Sequence, residues 1–221
     1  MKPARKIALL VAALATLGAC SNGTADEGDL GPLGALASVA GDVVASRGSR
    51  GDETPAAPPK SPAEAAVEAL RVNPAPLIQA GFESLGRTQV MAMTGQNGAM
   101  RTYMTPAEEA LILRNGMLIG TRGLGHDLSV AEPQTETLIR SGRSGNGKRV
   151  MRYFSGDGLE RPLQFDCSVG AGPNPGVMVE DCTGHGLSFQ NSYMGQGGQI
   201  AVSRQWIGPT LGYVTIQTLR P

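Results

Sequence analysis

The residues best suited to bind a ligand lie near the C-terminal end of this 221-residue chain. Arg204, Gln205 and Trp206 belong to one predicted strand, and Tyr213 belongs to the next. An aromatic face stacks on a sugar ring, while arginine and glutamine donate hydrogen bonds to hydroxyl groups. The four side chains are therefore a candidate glycan or partner surface. The alternative is that Trp206 and Tyr213 close the core of a sheet, and the sequence leaves both possibilities open.

Catalytic residues are harder to identify. His126 and Asp127 are an adjacent imidazole and carboxylate, but no Gly-x-Ser-x-Gly segment links a serine nucleophile to them or to His185. A glycosidase requires two carboxylates about 5–10 Å apart, and four acidic residues cluster near the last two cysteines: Glu160, Asp166, Glu180 and Asp181. Glu180 and Asp181 are neighbours in a predicted strand, so their side chains should point to opposite faces. We therefore predict no catalytic residues and no enzyme.

Residues 142–149 resemble the first part of a phosphate-binding loop. Arg149 stands where that loop requires a serine or threonine for magnesium, and a strand rather than a helix is predicted to follow. The segment thus does not predict a nucleotide site, and we expect no cofactor.

The N-terminal sequence predicts the subcellular location of the protein. Basic residues precede an apolar run at positions 7–17, which is too short to be a permanent membrane-spanning helix. The following Leu-Gly-Ala-Cys20 resembles the lipobox of bacterial lipoproteins, in which the cysteine is acylated and becomes the first mature residue. An ordinary signal peptide is the alternative. Ser21 in place of aspartate favours the outer membrane, again by resemblance. We predict a signal peptide at residues 1–19 and a lipidated, flexible tether at residues 20–60.

The charge of the chain argues against nucleic-acid binding. The 19 basic residues balance the 19 acidic ones, and removal of residues 1–19 would take away three of the basic residues. The mature protein is therefore mildly acidic, whereas nucleic-acid binding requires clustered positive charge.

Cysteine usage agrees with an exported protein. With Cys20 lipidated, Cys167 and Cys182 remain as an even pair, 15 positions apart around a Gly/Pro-rich loop. A disulfide closing this loop would contribute about 3 kcal/mol to stability. A metal site is the weaker alternative, because two cysteines and one nearby His185 do not complete a tetrahedral set.

The chain predicts a tether followed by one β domain at residues 61–221. Residues 21–60 are rich in Gly, Ala, Ser, Asp and Pro, although apolar residues spaced three or four apart between positions 30 and 43 could form a short amphipathic helix. Ser61, Pro62 and Glu64 form a capping box that begins a helix at residues 62–71.

The rest of the chain has the spacing of short strands and turns. Asn115-Gly116 is a strong hairpin signal. Residues 123–127 and 141–147 are predicted loops, and residues 132–139 could form one or two helical turns. Eleven strands are expected at 77–85, 88–94, 100–104, 109–114, 117–121, 148–154, 159–169, 177–182, 187–193, 200–207 and 213–219. The fold class is therefore all-β, an antiparallel β-sandwich or barrel with one or two short helices.

Several segments resemble one family of proteins. Residues 118–128, which include Thr121-Arg122-Gly123-Leu124-Gly125 and Asp127-Leu128, resemble a segment of the YjbF/GfcB family of bacterial lipoproteins. Further similar segments are Arg152-Tyr153, 165–167 with 180–182, 189–193, and 203–213. The chain departs from the family pattern at Met194 and at Ala201-Val202, where the family often carries tryptophan.

This resemblance implies a role in group 4 capsule and exopolysaccharide production. It implies an antiparallel β-fold anchored to the outer membrane, on the periplasmic side, with an outer-membrane β-barrel protein of polysaccharide export as partner. The polysaccharide itself is a further possible partner. The family supplies no catalytic residues to carry over. A non-enzymatic accessory is thus expected, with a glycan-binding module or a polysaccharide-modifying enzyme as alternatives.

Overall fold

The computed structural model describes residues 60–154, 157 and 159–221. The predicted all-β class is confirmed, because twelve antiparallel strands in this part of the chain form one sheet. The two helices are α1 (Pro62–Val72) and α2 (Glu136–Arg140). The strands are β1 (Leu77–Phe82), β2 (Arg87–Asn97), β3 (Met100–Met104), β4 (Ala110–Arg114), β5 (Met117–Arg122), β6 (Leu128–Pro133), β7 (Gly145–Phe154), β8 (Glu160–Ala171), β9 (Val177–Gly184), β10 (Leu187–Gln196), β11 (Gln199–Gly208) and β12 (Gly212–Arg220).

The strand order makes the sheet nearly closed. It runs β5-β4-β3-β2-β1-β12-β11-β10-β9-β8-β7-β6, so its two edge strands, β5 and β6, are consecutive in the chain. A short loop at residues 123–127 brings these two edges side by side, and we call this line of contact the seam. A strand edge exposes unpaired backbone groups, and curling the sheet into a barrel removes most of that exposure.

Side chains bridge the seam. The Thr121 hydroxyl accepts a hydrogen bond from the backbone N–H of Leu128, at 2.9 Å. The Arg122 guanidinium donates to the carbonyl oxygens of Leu128 and Ser129, at 3.3 and 3.4 Å. These contacts tie the end of β5 to the start of β6.

The side chain of Gln205, in β11, hydrogen bonds to the backbone at the edge of β5. The backbone N–H of Leu118 donates to Gln205 Oε1 at 2.8 Å, and Gln205 Nε2 donates to the carbonyl oxygen of Gly116 at 3.1 Å. Every residue of β5 except Arg122 is buried, so water does not offer a replacement for these bonds. The Gln205 amide thus replaces part of a neighbouring strand.

Local signals place α1 and the β4–β5 turn as predicted. Ser61 Oγ accepts from the backbone N–H of Glu64 at 3.3 Å, while the Glu64 carboxylate accepts from the backbone N–H of Ser61 at 2.8 Å. Asn115 and Gly116 both have positive φ, 51° and 85°. A Cβ atom at Gly116 would lie 2.7 Å from Ile200 Cβ, so this turn also requires glycine for packing.

Between β5 and β8 the secondary structure differs from the prediction. Leu128–Pro133 is a strand, β6, which the prediction missed, and the helix over 132–139 is only the short α2. Pro133 in a strand is a sign of an edge, where its missing N–H is tolerated. The loop predicted to end at residue 147 ends earlier, because Gly145 and Gly147 begin β7 and lie closely under Leu138 and Thr135.

The predicted disulfide is confirmed. Cys167 and Cys182 lie opposite each other in β8 and β9, with Cα atoms 4.1 Å apart and the sulfur atoms bonded. A carboxylate oxygen of Glu180 lies within 4.8 Å of both sulfur atoms. Because the sulfur atoms are joined to each other, they do not act as thiolate ligands for a metal.

The main core contains a cluster of aromatic rings. The Trp206 ring stacks on Phe189 with ring centroids 4.3 Å apart, and it meets Phe165 edge-on at 5.9 Å. Gln205, Trp206 and Ile207 are all buried, which a regular strand with alternating faces does not allow. The register of β11 against β12 shifts between Trp206 and Gly208, and this irregularity turns consecutive side chains inward.

A charged network lies inside the barrel. The side chains of Arg149 and Glu180 are 2% and 0% exposed, and their closest nitrogen and oxygen atoms are 2.7 Å apart. Glu180 also accepts hydrogen bonds from the Tyr193 hydroxyl, the Asn191 amide and the Thr135 hydroxyl. Burial raises the pKa of Glu180, but the Arg149 charge and the hydrogen bonds outweigh burial and hold the pKa below its ordinary value.

Glu180→Gln should strongly destabilise the protein at neutral pH. The substitution leaves the Arg149 charge buried without its counter-charge, which typically costs about 3–5 kcal/mol. A carboxylate whose pKa is lower in the folded than in the unfolded state stabilises the protein when the pH is above its unfolded-state pKa. This stabilisation is lost as the pH falls through the folded-state pKa. We therefore expect the difference in unfolding free energy between wild type and variant to become smaller at pH values below 4.5, the ordinary pKa of glutamate. Urea unfolding at pH 7, 5, 4 and 3 measures it, with the exposed Asp181→Asn as control; a constant difference would contradict the assignment.

Gln205→Leu should also destabilise the fold. The variant leaves the buried N–H of Leu118 without an acceptor, at a cost of about 1–3 kcal/mol. Urea unfolding at pH 7 measures the effect, and Gln217→Leu, on the exposed face of β12, is the matched control. Equal stability of the two variants would show that Gln205 does not support the β5 edge.

Candidate functional site

The structure separates the four residues of the candidate glycan or partner surface. Gln205 is 1% exposed and hydrogen bonds to β5, and Trp206 is 8% exposed in the aromatic cluster. These two side chains belong to the core, so the surface interpretation does not hold for them. Arg204 and Tyr213 remain partly exposed on the outer face of the sheet.

Arg204 and Tyr213 form a satisfied structural contact. The Arg204 guanidinium lies 3.5 Å from the centroid of the Tyr213 ring and donates to both carboxylate oxygens of Glu83, at 2.6 and 2.7 Å. The hydrogen bond from Arg204 lowers the pKa of Glu83. The Tyr213 hydroxyl accepts from the backbone N–H of Gln190. The arginine charge is thus neutralised and the ring face is covered, which leaves little of this pair for a ligand.

A cleft beside the seam was not anticipated from the sequence. It has a volume of about 580 Å³ and lies among the 123–127 loop, the start of β6, the β7–β8 pair and the β11–β12 turn. Its lining includes Arg122, His126, Tyr153, Phe154 and Leu163. Small-molecule sites typically have volumes of about 300–1,000 Å³, so the cleft is large enough for a small ligand. We call it the seam cleft.

Asp127 shapes the loop at the mouth of the seam cleft. Its Oδ1 accepts from the Thr121 hydroxyl at 2.7 Å and from the backbone N–H of Leu124 at 3.2 Å. Its Oδ2 accepts from the backbone N–H of Gly123 at 2.9 Å. Both carboxylate oxygens are therefore used within the loop. The carboxylate holds the backbone in place and is not directed to His126 as a catalytic partner would be.

Arg122 carries a charge that no carboxylate of residues 60–154, 157 or 159–221 neutralises. Among the described residues, no carboxylate oxygen lies within 4.0 Å of the Arg122 guanidinium. Its partners are backbone carbonyl oxygens, of Thr121 at 2.5 Å and of Leu128 and Ser129 across the seam. The side chain is exposed beside the cleft. This guanidinium is therefore available to an anion.

The lining of the cleft also includes aromatic and apolar residues. The Tyr153 hydroxyl donates to the carbonyl oxygen of Ile207 at 2.5 Å, and burial raises the pKa of this phenol, which stays neutral. Gly208 packs closely on the Tyr153 ring, where a Cβ atom would lie 3.1 Å away. Phe154, the next residue, is 66% exposed and also belongs to the lining. The lining of the cleft thus includes both an aromatic residue and a cation.

Three of the segments that carry the family resemblance meet at this cleft. Residues 118–128 supply Arg122, His126 and Asp127; Arg152-Tyr153 supplies Tyr153; and residues 203–213 supply the β11–β12 turn. The sequence contains all three segments, but they lie far apart along the chain. They come together only because the strand order places β5 and β6 side by side.

The remaining predicted residues fall elsewhere. Glu180 is buried in the ion pair with Arg149. Asp166 and Asp181 are exposed and line one open pocket on the neighbouring strands β8 and β9. In that pocket Asp166 is paired with Lys148 at 3.5 Å, and Asp181 accepts a hydrogen bond from the Gln190 amide at 2.7 Å. Arg149, from the loop with partial likeness to a phosphate-binding segment, lies inside the barrel. Cys20 lies outside the described residues and its lipidation stays a prediction.

Comparison with known proteins agrees with the resemblance. Residues 43–219 match the family described as "Group 4 capsule polysaccharide lipoprotein gfcB, YjbF". No curated protein matches the chain. Among solved structures, the chain is similar to the crystal structure of the hypothetical lipoprotein YmcC from Escherichia coli (K12), with 17% identity, a TM-score of 0.59, and coverage of 71% of this chain and 89% of that chain. This likeness shows a shared fold. Because the family match spans most of the sequence, the chain belongs to the YjbF family of group 4 capsule polysaccharide lipoproteins.

Proposed function

We propose that this protein is an outer-membrane lipoprotein that acts as a non-enzymatic accessory in the assembly or export of a capsule or exopolysaccharide. The observation that carries the proposal is the family match over residues 43–219, which assigns the chain to capsule polysaccharide lipoproteins.

The positions of Asp127 and Glu180 support an accessory role. His126 is exposed, and the neighbouring Asp127 carboxylate is held by the loop backbone and by Thr121. Glu180, the most buried of the acidic candidates, is paired with Arg149 and therefore ionised and occupied. General acid–base catalysis requires a group within hydrogen-bond reach of the substrate, in the correct protonation state. Neither carboxylate meets this requirement.

The N-terminal sequence supports anchoring by lipid. Leu-Gly-Ala-Cys20 resembles a lipobox, and acyl chains on Cys20 would hold the domain at the membrane surface. Ser21 favours the outer membrane. Among the helices that the structure describes, none has the length and apolar character needed to cross a membrane.

The proposed partner is an outer-membrane β-barrel protein of polysaccharide export. A tether of about 40 residues, 20–60, would let the domain move from its anchor to such a partner on the periplasmic side.

Glycan binding is a second candidate function. It is favoured by two features of the seam cleft, the Arg122 guanidinium, which has no carboxylate partner among the described residues, and the exposed Phe154 side chain.

Cys20→Ala should release the protein from the membrane and reduce surface polysaccharide. The variant lacks the thiol that would be acylated, so we expect loss of radioactive palmitate labelling and recovery in the soluble fraction. A deletion strain complemented with wild type or variant, scored for surface polysaccharide, measures the consequence. Ser21→Asp is the matched variant: it keeps the acylated cysteine, and we expect it to move the protein to the inner membrane.

A deletion strain with normal surface polysaccharide would contradict the proposed function. Normal polysaccharide with Cys20→Ala, in a strain whose deletion abolishes the polymer, would show that lipid anchoring is dispensable.

A further inference from the structure

We propose that the seam cleft binds an acidic sugar unit of the polysaccharide, with Arg122 contacting its anionic group and Phe154 contacting its ring. This proposal rests on the proposed function, since it names the ligand class of a protein assigned to capsule polysaccharide. It depends on three features of the cleft: charge, an exposed aromatic face, and size.

The charge in the cleft selects an anion. The exposed guanidinium of Arg122 is bonded only to backbone carbonyl oxygens, and the nearby Asp127 carboxylate turns inward to the loop. An arginine planar fork binds a carboxylate through charge-assisted hydrogen bonds, which are stronger than bonds between neutral groups. His126, exposed in the same lining, supplies a further hydrogen-bonding group.

The contrast with Arg204 sharpens the assignment. Arg204 also lies beside an aromatic ring, but its guanidinium donates to both carboxylate oxygens of Glu83 and covers the face of the Tyr213 ring. Arg122 lacks such a carboxylate partner within the part of the chain that the structure describes. Of the two arginines, Arg122 has the free charge that an anionic ligand requires.

The aromatic wall selects a ligand with an apolar face. Phe154 is 66% exposed, and Tyr153 and Leu163 line the cleft beside it. A sugar ring has an apolar C–H face that packs on an aromatic ring, while its hydroxyl groups remain hydrogen bonded. A simple inorganic anion would use Arg122 but not this wall. The combination therefore favours an acidic sugar.

A second cleft provides an internal comparison. It has a volume of about 430 Å³ and its lining includes Arg101, Gln196 and Gln199. Its aromatic residue, Tyr103, is only 3% exposed, so the cleft offers no ring face for a sugar. Arg101→Gln is consequently the matched control for Arg122→Gln.

The direct test measures binding to residues 20–221, carrying Cys20→Ala so that the protein is not lipidated. The ligands are tetramers of galacturonate, glucuronate and mannuronate, each compared with its neutral methyl ester, by isothermal titration calorimetry. We expect saturable binding of at least one uronate tetramer. Affinity should fall by about tenfold or more for its methyl ester and for Arg122→Gln, since a hydrogen bond to a charged group is lost. Arg122→Lys should retain part of the affinity, Phe154→Ala should weaken binding, and Arg101→Gln should have no effect.

Nuclear magnetic resonance separates a binding role of Arg122 from a structural one. In wild type, the uronate should shift the amide signals of Gly125 and His126, which line the cleft. The unliganded spectra of Arg122→Gln and Arg122→Lys should show the native fold. A folded Arg122→Gln that binds the uronate as tightly as wild type would overturn the proposal.

Other outcomes overturn the proposal without touching the function proposed above. These are saturation by none of the three uronates, equal binding of acid and methyl ester, or Arg122-dependent binding to anionic phosphatidylglycerol vesicles in place of uronates. The proposed function would still stand if deletion of the gene abolishes surface polysaccharide and the wild-type copy restores it. A deletion without effect on the polymer refutes the proposed function whatever the binding result.

Discussion

The closure of the sheet at β5 and β6 is the constraint on which the rest of the structure depends. A strand that ends a sheet leaves backbone groups without partners, and burying them unpaired is costly. The protein meets this requirement with side chains. Gln205 reaches from β11 to the backbone of β5, while Thr121 and Arg122 bridge to β6. The register shift of β11 against β12 near Trp206 accompanies the burial of three consecutive residues, Gln205, Trp206 and Ile207.

Closure also explains why charged residues lie inside. Arg149 and Glu180 face each other within the barrel, and Glu180 gathers hydrogen bonds from β10 and from Thr135, the residue before α2. Such a network joins the short helix to the sheet. Its members stabilise the fold only as a set, since removal of one charge leaves the other buried and unpaired.

The seam determines which groups are exposed beside it. The loop that turns from β5 to β6 must be short, and Asp127 holds it by accepting hydrogen bonds from the loop backbone. This arrangement uses the acidic group of the loop for the loop backbone, and within the described part of the chain no carboxylate pairs with Arg122. The seam cleft therefore combines a cation with the exposed ring of Phe154, at the place where three family-like segments meet. The proposed binding of an acidic sugar in this cleft agrees with the proposed accessory role, which requires no catalysis.

The sequence alone determined the local features and the family. Capping by Ser61 and Glu64, the positive-φ turn at Asn115-Gly116, and the opposed Cys167 and Cys182 were predictable, because each depends on residues close in sequence or on an even pair of cysteines. Tertiary structure decided the burial of Gln205 and Trp206, the strand β6, and the seam cleft. Gln205 is buried because its amide bonds to the edge of β5, nearly 90 residues away, that does not face β4. Strand β6 forms because it pairs with β7. Such positions depend on long-range pairing, which alternation of residue types within one strand does not reveal.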